Sequence, residues 1–164
     1  MSERPFWLPN LVPVDGNYDQ VVKNLYEIFK KDIKEGKLTL DGLLIWWDRR
    51  ILMGGTYEEG FWHLITKEDE KEGRRLFDPR RAERLLWVRA ILLNSKDPLI
   101  KSWEDKISPK RTKIYLWLEA FNYVVCLEKR DQRLGEVCFL LTGYYVNEGT
   151  AKRFARIVSG GKRC

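Results

Sequence analysis

One apolar run near the carboxyl end constrains the fold most, the segment GEVCFLLTGYYV at residues 135–146. A run this dense is typical of a strand buried in a core. Near its end it nevertheless carries the hydroxyl side chains of Thr142 and Tyr144, two positions apart. Side chains alternate along a strand, so these two point to one face, while Gly143 leaves room on the other face near Tyr145. The segment predicts a core strand that carries polar groups at its end.

Composition predicts one basic domain. The 164 residues are enough for a single packed core, and 7 Trp, 7 Tyr and 7 Phe supply ample material for its interior. Lys and Arg outnumber Asp and Glu by 30 to 24, which gives a formal net charge of +6. This balance suits a polyanionic partner such as RNA, and solubility is an equally good explanation of the charge.

The cysteines and the single histidine argue against a metal site or a disulfide framework. Cys126, Cys138 and Cys164 form no Cys-x-x-Cys pair, and one histidine does not complete a usual zinc ligand set. We therefore expect no metal and no cofactor. The odd cysteine count, together with the lack of a signal peptide or an apolar membrane span, predicts a cytoplasmic protein that does not enter a membrane.

The order of predicted elements indicates a single domain over residues 1–164. An extended proline-rich arm covers 1–16, an amphipathic helix covers 17–36, and the functional core covers 43–158. Within the core, the pattern predicts paired strands at 43–52 and 59–66, a charged loop or helix start at 67–75, a helix from Asp78 to about Asn94, strands at 113–118, 123–127 and 136–146, and a last helix from about Glu148.

These elements predict an α+β fold in which a curved antiparallel sheet, ending in a carboxyl-terminal meander, packs against helices on one face. The other face is expected to be open. The pattern leaves undecided which face Thr142 and Tyr144 line, and we expect the edge of the open, concave face. Cations interleaved with aromatic rings suit single-stranded RNA, because phosphates bind Lys or Arg and unstacked bases bind rings. The outward positions of the meander's first strand have this character and are Arg111, Lys113, Tyr115 and Trp117.

The one histidine, His63, defines the predicted chemistry. Internal attack of an RNA 2′-hydroxyl needs a proton carrier, an acid for the leaving oxygen and cations that hold the added charge of the phosphorane. His63 is the natural proton carrier. Arg111 or Lys113 would stabilise the phosphorane, and Thr142 with Tyr144 would place the phosphate. The remaining contacts to RNA are expected from Lys101, Lys110, Tyr115, Trp117 and Tyr145.

The element order and two motifs resemble a known group of ribonucleases. A histidine in the predicted strand before the central helix, and a closing LLTGYYV strand followed by a short helix, look like the barnase, EndoU, colicin and RelE-like (BECR) superfamily. The resemblance covers about 43–158 and implies a BECR-like fold and metal-independent cleavage of RNA, often tRNA, to a 2′,3′-cyclic phosphate. It also implies a toxin-like protein of phage or plasmid type, restrained by an acidic antitoxin or immunity protein.

The resemblance also assigns roles. It maps the proton-transfer histidine to His63, the hydroxyl and aromatic residues of the last strand to Thr142 and Tyr144, and the phosphate-binding cation to Arg111 or Lys113. Lys101, Lys106 and Lys110 are alternatives for that cation. With one histidine the chain has no two-histidine acid and base pair, so a Lys, Arg or Tyr side chain is expected to be its partner.

Two interpretations without catalysis remain open. The fold could bind RNA or a protein partner through its basic, aromatic surface, with His63 as a core residue, or it could be an accessory protein whose aromatic surface mediates oligomerisation. The apolar neighbours of His63 fit a structural histidine as well. The sequence lacks GxSxG, P-loop, Rossmann glycine and HExxH motifs, so esterase, nucleotide hydrolase, dehydrogenase and zinc protease functions have no support.

Overall fold

The computed structural model of the protein describes residues 4–133 and 135–160. A π-helical turn, Lys30–Lys34, extends the first helix, and a 3₁₀ turn, Glu119–Phe121, joins two strands of the meander. The predicted α+β class is confirmed. The regular elements in chain order are α1 (Tyr18–Phe29), β1 (Thr39–Leu40), β2 (Leu43–Trp46), α2 (Glu59–Ile65), β3 (Thr66–Asp69), β4 (Arg74–Phe77), α3 (Pro79–Ala82), α4 (Leu85–Leu93), β5 (Ile100–Ser108), β6 (Arg111–Leu118), β7 (Tyr123–Gln132), β8 (Gly135–Tyr145) and α5 (Glu148–Ser159).

Six strands form one sheet in the order β1-β2-β8-β7-β6-β5. The strands β5 to β8 are an antiparallel meander, as the sequence predicts, whereas β2 pairs with β8 in parallel. The β2 pairing is short, since Ile45 and Trp46 lie opposite Cys138 and Phe139. Beyond Phe139, no described strand pairs with β8 on that side, and the short helices α2 and α3 lie against it instead.

The sheet has a core on each face. On one face, Phe29 of α1 and Ile91 of α4 belong to the larger buried cluster. On the other face, Phe154 of α5 packs edge-on against Trp103 and Trp117. The expectation of an open second face is therefore wrong, because the apolar side of α5 covers part of it.

A bulge in β8 decides which way its hydroxyl side chains point. Thr142 lies opposite Cys126, but the residue after Cys126 lies opposite Leu140, so Leu141 is an extra residue in β8. Leu140 consequently packs in the larger core, whereas Tyr144 packs against the smaller one. Strict alternation would have put these side chains on one face, and the bulge separates them.

The predicted strand at 59–66 is the helix α2 instead. Its buried residues Phe61, Leu64 and Ile65 fall three and four positions apart, which is the spacing of one helical face. His63 lies between them on the less buried side. In so short an apolar run, helical and strand patterns overlap, and the contacts of α2 with the core decided the outcome.

Other boundaries also differ from the prediction. The charged segment 67–75 contributes to a hairpin of β3 and β4, in which Glu68 lies opposite Arg75 and Asp69 opposite Arg74, so opposite charges face each other. The strand predicted at 43–52 ends at Trp46, and the Asp48 side chain then accepts from a following backbone amide in a turn. The helix predicted from Asp78 is two helices, α3 and α4, and the polar edge strand β5 was not predicted.

Gly143 offers a test of the packing beneath β8. A Cβ at this position would collide with the hydroxyl and ring of the buried Tyr123, whose oxygen has no hydrogen-bond partner in the described part of the chain. We expect Gly143→Ala to lower the free energy of unfolding by about 1–3 kcal/mol, because paired strands cannot move apart freely. Tyr123→Phe should restore part of this loss in the double variant, since it removes the colliding oxygen. Urea unfolding of both single variants and the double variant measures the coupling, and strictly additive effects would contradict it.

Candidate active site

His63 lies in the last turn of α2, where the helix meets the unpaired part of β8. Helix ends leave backbone carbonyl oxygens without partners inside the helix. Here the Thr142 hydroxyl donates a 2.7 Å hydrogen bond to the carbonyl oxygen of His63. The structure therefore brings the Thr142 hydroxyl to the backbone of His63, and this contact holds the end of α2 rather than the imidazole itself.

Arg81 of α3 connects the segments around this point. Its Nη1 donates to the carbonyl oxygens of His63 and Thr66, at 3.2 and 2.8 Å, and to the Thr142 hydroxyl oxygen at 3.1 Å. The side chain is only 16% exposed. Its guanidinium carbon lies 5.3 Å from the centre of the Tyr144 ring. A fixed positive charge thus lies between the backbone carbonyl of His63 and the ring of Tyr144.

A second arginine, Arg75 of β4, reinforces this arrangement. Its Nε donates to the Thr66 hydroxyl at 2.8 Å, and its Nη2 donates to the Thr66 carbonyl oxygen at 2.8 Å. The same carbonyl therefore accepts from both Arg75 and Arg81. Two guanidinium groups converge on the residue where α2 passes into β3.

The environment of His63 keeps its imidazole neutral. The side chain is 34% exposed, and its Nε2 lies 3.9 Å from the Glu59 carboxylate. Burial lowers the pKa of His63 below its ordinary value near 6.5, and the positive charge of Arg75 lowers it further, whereas the carboxylates of Glu59 and Asp48 oppose this shift. At pH 7 the group is therefore unprotonated and able to accept a proton.

Tyr144 has the opposite character. Burial raises the pKa of its phenol above the ordinary value of 10, so the hydroxyl keeps its proton at neutral pH. Its face is occupied by Arg81, as described above. The site thus combines a neutral imidazole, a protonated phenol and fixed positive charge within neighbouring elements.

Two clefts adjoin these residues. The one that we call the His63 cleft has a volume of about 430 Å³, and its walls include Asp48, Arg49, Arg50, His63, Arg130 and Phe139. The one that we call the Tyr145 cleft has a volume of about 530 Å³, and its walls include Lys67, Asp78, Arg80, Arg81, Tyr144 and Tyr145. Arg81 lines the Tyr145 cleft and donates to the carbonyl oxygen of His63, which lines the His63 cleft, so the two clefts are adjacent. Basic side chains line both clefts.

Arg111 and Lys113 lie elsewhere. Arg111 forms an ion pair of 3.0 Å with the buried Glu128, and Lys113 is opposite Glu128 in the neighbouring strand. Glu128 also pairs with Arg130, whose guanidinium covers the Phe139 ring at 4.1 Å. Of these three cations, Arg130 is the one that lines the His63 cleft. The positions of Arg111 and Lys113 therefore do not support a role at the reacting phosphate.

The two cations expected to contact RNA lie far from this site in the sheet. Lys101 lies in the edge strand β5, and Lys110 lies in the turn between β5 and β6. β5 is three strands away from β8 in the sheet order. Tyr145, by contrast, lines the cleft that bears its name.

The expected aromatic platform is part of the protein interior. Trp117 is 1% exposed and packs against Phe154 of α5. Tyr115 stacks on Trp103 with ring centres 5.0 Å apart, and both rings pack into the smaller core. The prediction of an exposed surface for bases is wrong for Trp117, because α5 folds over it, whereas Tyr115 is half-buried against the same core and lines a cleft beside α5.

Sequence reasoning missed Arg75, Arg81 and Arg130 as members of the site. For Arg81 a signal was present, since it follows the capping residue Asp78 by three positions and precedes Ala82, which is fully buried. A residue next to a core position on a helix borders the buried face, and the apolar stem of an arginine there can pack along it. For Arg75 and Arg130, the sequence held no comparable signal, because both come from charged runs that resemble solvated surface.

Comparison with protein-family models, curated proteins and solved structures gives no match for this chain. Within residues 4–133 and 135–160, no three His, Cys, Asp or Glu side chains form a group that could hold a metal ion. None of the helices in these ranges is long and apolar enough to cross a bilayer. The site is therefore interpreted from its own geometry.

Titration of His63 can be followed directly, because it is the single histidine of the chain. We expect its NMR midpoint to lie below 6.5. Arg75→Gln should raise this pKa by removing a nearby positive charge, and Glu59→Gln should lower it by removing a nearby negative charge. Lys23→Gln, an exposed change on α1, is the control and should leave it unchanged. Shifts of Arg75→Gln and Glu59→Gln in the same direction would contradict this description of the site.

The same shift predicts how stability depends on pH. The unfolded chain takes up a proton at His63 near pH 6.5, while the folded chain resists protonation until a lower pH. The contribution of His63 to stability is therefore present above pH 6.5 and is lost as pH falls from 6.5 through the folded pKa. Urea unfolding at pH 7 and at pH 5.5 should show this loss in the wild type and a smaller one in His63→Gln.

Proposed function

We propose that this chain is a metal-independent endoribonuclease with toxin-like character, which cleaves RNA by attack of the 2′-hydroxyl on the adjacent phosphate. The observation that carries the proposal is the neutral, partly exposed His63, tied through its own carbonyl to Arg81 and Thr142 beside Tyr144. Proton transfer and charge stabilisation are what this reaction requires of a protein. Side chains can supply both.

In the proposed reaction His63 accepts the proton of the 2′-hydroxyl. The 2′-oxygen forms a bond to phosphorus, and the bond from phosphorus to the 5′-oxygen breaks, which leaves a 2′,3′-cyclic phosphate. Tyr144 is the proposed donor of the proton that the 5′-oxygen takes up, since its phenol is protonated at neutral pH. The two groups then exchange protons with solvent and return to their starting states.

Arg81 and Arg75 are the proposed partners of the phosphorane. Both guanidinium groups are held by hydrogen bonds to Thr66, so they need no rearrangement when negative charge develops. This assignment replaces Arg111 and Lys113, which lie near Glu128. Thr142 acts as a positioning residue, because its hydroxyl is already engaged with the His63 carbonyl.

The proposed family is the BECR-like ribonucleases. The support is the antiparallel meander that ends in the LLTGYYV strand, the helix α5 that follows it, and the histidine that precedes α3 and α4. The proposed substrates are RNA in general and tRNA in particular, and an acidic antitoxin or immunity protein is the proposed partner. The basic clefts suit both polyanionic RNA and an acidic inhibitor.

The test is incubation of the purified protein with total tRNA and with a generic single-stranded RNA in EDTA, followed by mapping of the new ends. We expect discrete fragments with 2′,3′-cyclic phosphates. His63→Ala should lower the rate by at least about 100-fold, since general acid–base catalysis contributes 10²–10⁴-fold. Lys23→Gln should cleave at the wild-type rate.

Intact RNA together with a salt-sensitive mobility shift would contradict cleavage and favour a non-catalytic RNA-binding module instead. Undiminished cleavage by a folded His63→Ala protein would remove His63 from the mechanism.

The pH profile of cleavage provides a second test. His63 works as a base in its neutral form, so kcat/KM should rise with pH through one ionisation and level off above it. Because the pKa of His63 is lowered, the midpoint should lie below 6.5. Arg75→Gln should move the midpoint upward by the same amount as in the NMR titration. A rise centred well above pH 7 would show that another group is the base.

A further inference from the structure

The Tyr145 cleft holds two exposed cations that the proposed chemistry does not use. Lys67 comes from β3 and Arg80 from α3, and both line the cleft. None of the ion pairs formed by the described residues includes either side chain. Arg111 and Arg130, by contrast, are paired with Glu128. Two positive charges with no carboxylate partner thus face the same space.

Stacking holds Arg80 in place without using its N–H groups. Its guanidinium carbon lies 4.9 Å from the centre of the Tyr145 ring, and that of Arg84 lies 4.8 Å from the same centre. Arg84 in turn donates to the Arg80 carbonyl oxygen at 2.9 Å. A stacked guanidinium keeps its donor edge free for an anion, so Arg80 is prepared for a phosphate oxygen.

Among the described residues that line this cleft, the one carboxylate, that of Asp78, is already engaged. Asp78 Oδ1 accepts from the backbone amides of Arg80 and Arg81 as the cap of α3. Its Oδ2 lies 3.5 Å from Arg81 Nε, a buried nitrogen that forms no hydrogen bond with the described residues. The negative charge of Asp78 is therefore directed at the helix start and at Arg81, while Lys67 and Arg80 give the cleft its net positive charge.

We propose that the Tyr145 cleft binds the backbone phosphate next to the scissile one in single-stranded RNA, through Lys67 and Arg80. This inference rests on the proposed function, because the cleft shares Arg81 and Tyr144 with the reacting centre. A volume of about 530 Å³ admits one nucleotide. The adjoining position follows from Arg81, which lines this cleft and also bonds to the carbonyl of His63.

Binding can be measured apart from cleavage with a six-nucleotide 2′-O-methyl RNA, which lacks the attacking hydroxyl. Its affinity for the wild type and for the double variant Lys67→Gln with Arg80→Gln is read by fluorescence anisotropy over a series of salt concentrations. We expect about tenfold weaker binding and a salt slope reduced by about 0.7, since Lys67 and Arg80 are proposed to share one phosphate and each neutralised phosphate of a single strand contributes about 0.7.

The matched control removes the same charge from exposed positions away from the cleft, by Lys23→Gln on α1 with Lys30→Gln in the π-helical turn that follows it. It should weaken binding less than twofold. Equal losses in the two double variants would mean a diffuse charge effect and would overturn the proposal. So would failure of the wild type to bind the oligonucleotide.

A neutral methylphosphonate, placed at one linkage at a time, locates the contact. At the linkage held by the cleft, this change should weaken wild-type binding and have little further effect on the Lys67 and Arg80 double variant. Additive losses at every linkage would overturn the assignment.

Failure of the nuclease and failure of the subsite give different results. Suppose that the wild type cleaves no RNA, but that the methylphosphonate weakens oligonucleotide binding in the wild type and not in the double variant. The subsite then stands and the catalytic proposal fails. If the wild type cleaves RNA but the double variant binds and cleaves normally, the subsite fails alone.

Discussion

A single buried guanidinium, that of Arg81, holds three segments of this fold in position. It donates to the end of α2, to the start of β3 and to the hydroxyl of Thr142 in β8. Without it, the carbonyl oxygen of Thr66 would depend on Arg75 and that of His63 on Thr142 alone. Taking acceptors away from a buried charge is costly, so the positions of these segments are mutually dependent. The placement of His63 relative to Tyr144 is a result of this arrangement.

The site exists because the sheet is incomplete. β2 pairs with β8 only at Ile45 and Trp46, and a longer β2 would have covered the edge where α2 and α3 now lie. Two short helices leave gaps that a strand would have filled, and the clefts occupy those gaps. The long strands of the meander form a scaffold, and several site residues lie on the short elements beside it. Binding and catalytic sites are often built in this way.

The sequence was most informative where a strong periodic pattern coincided with a core. Helix α1, the strands β6 to β8 and helix α5 follow from such patterns. The roles of His63, Thr142 and Tyr144 stay predictions. Prediction failed for α2, whose run around His63 is too short to distinguish helix from strand, and for β3 to β5, which are charged. The sequence analysis named Arg111 or Lys113 as the phosphate-binding cation and did not single out Arg81. The reason is related, because Arg81 is buried by tertiary contacts that no local pattern records.

The extra residue at Leu141 makes the length of β8 as important as its composition. Removing Leu141 itself would restore regular pairing, and the residues beyond it would keep their partners in β7 and therefore their faces. Removing Gly143 instead would make Thr142 and Tyr144 adjacent, so their side chains would point to opposite faces of the sheet. The strand can therefore accept changes of side chain more readily than a change of register, and a single deletion could separate the two halves of the site while leaving every one of its residues in the chain.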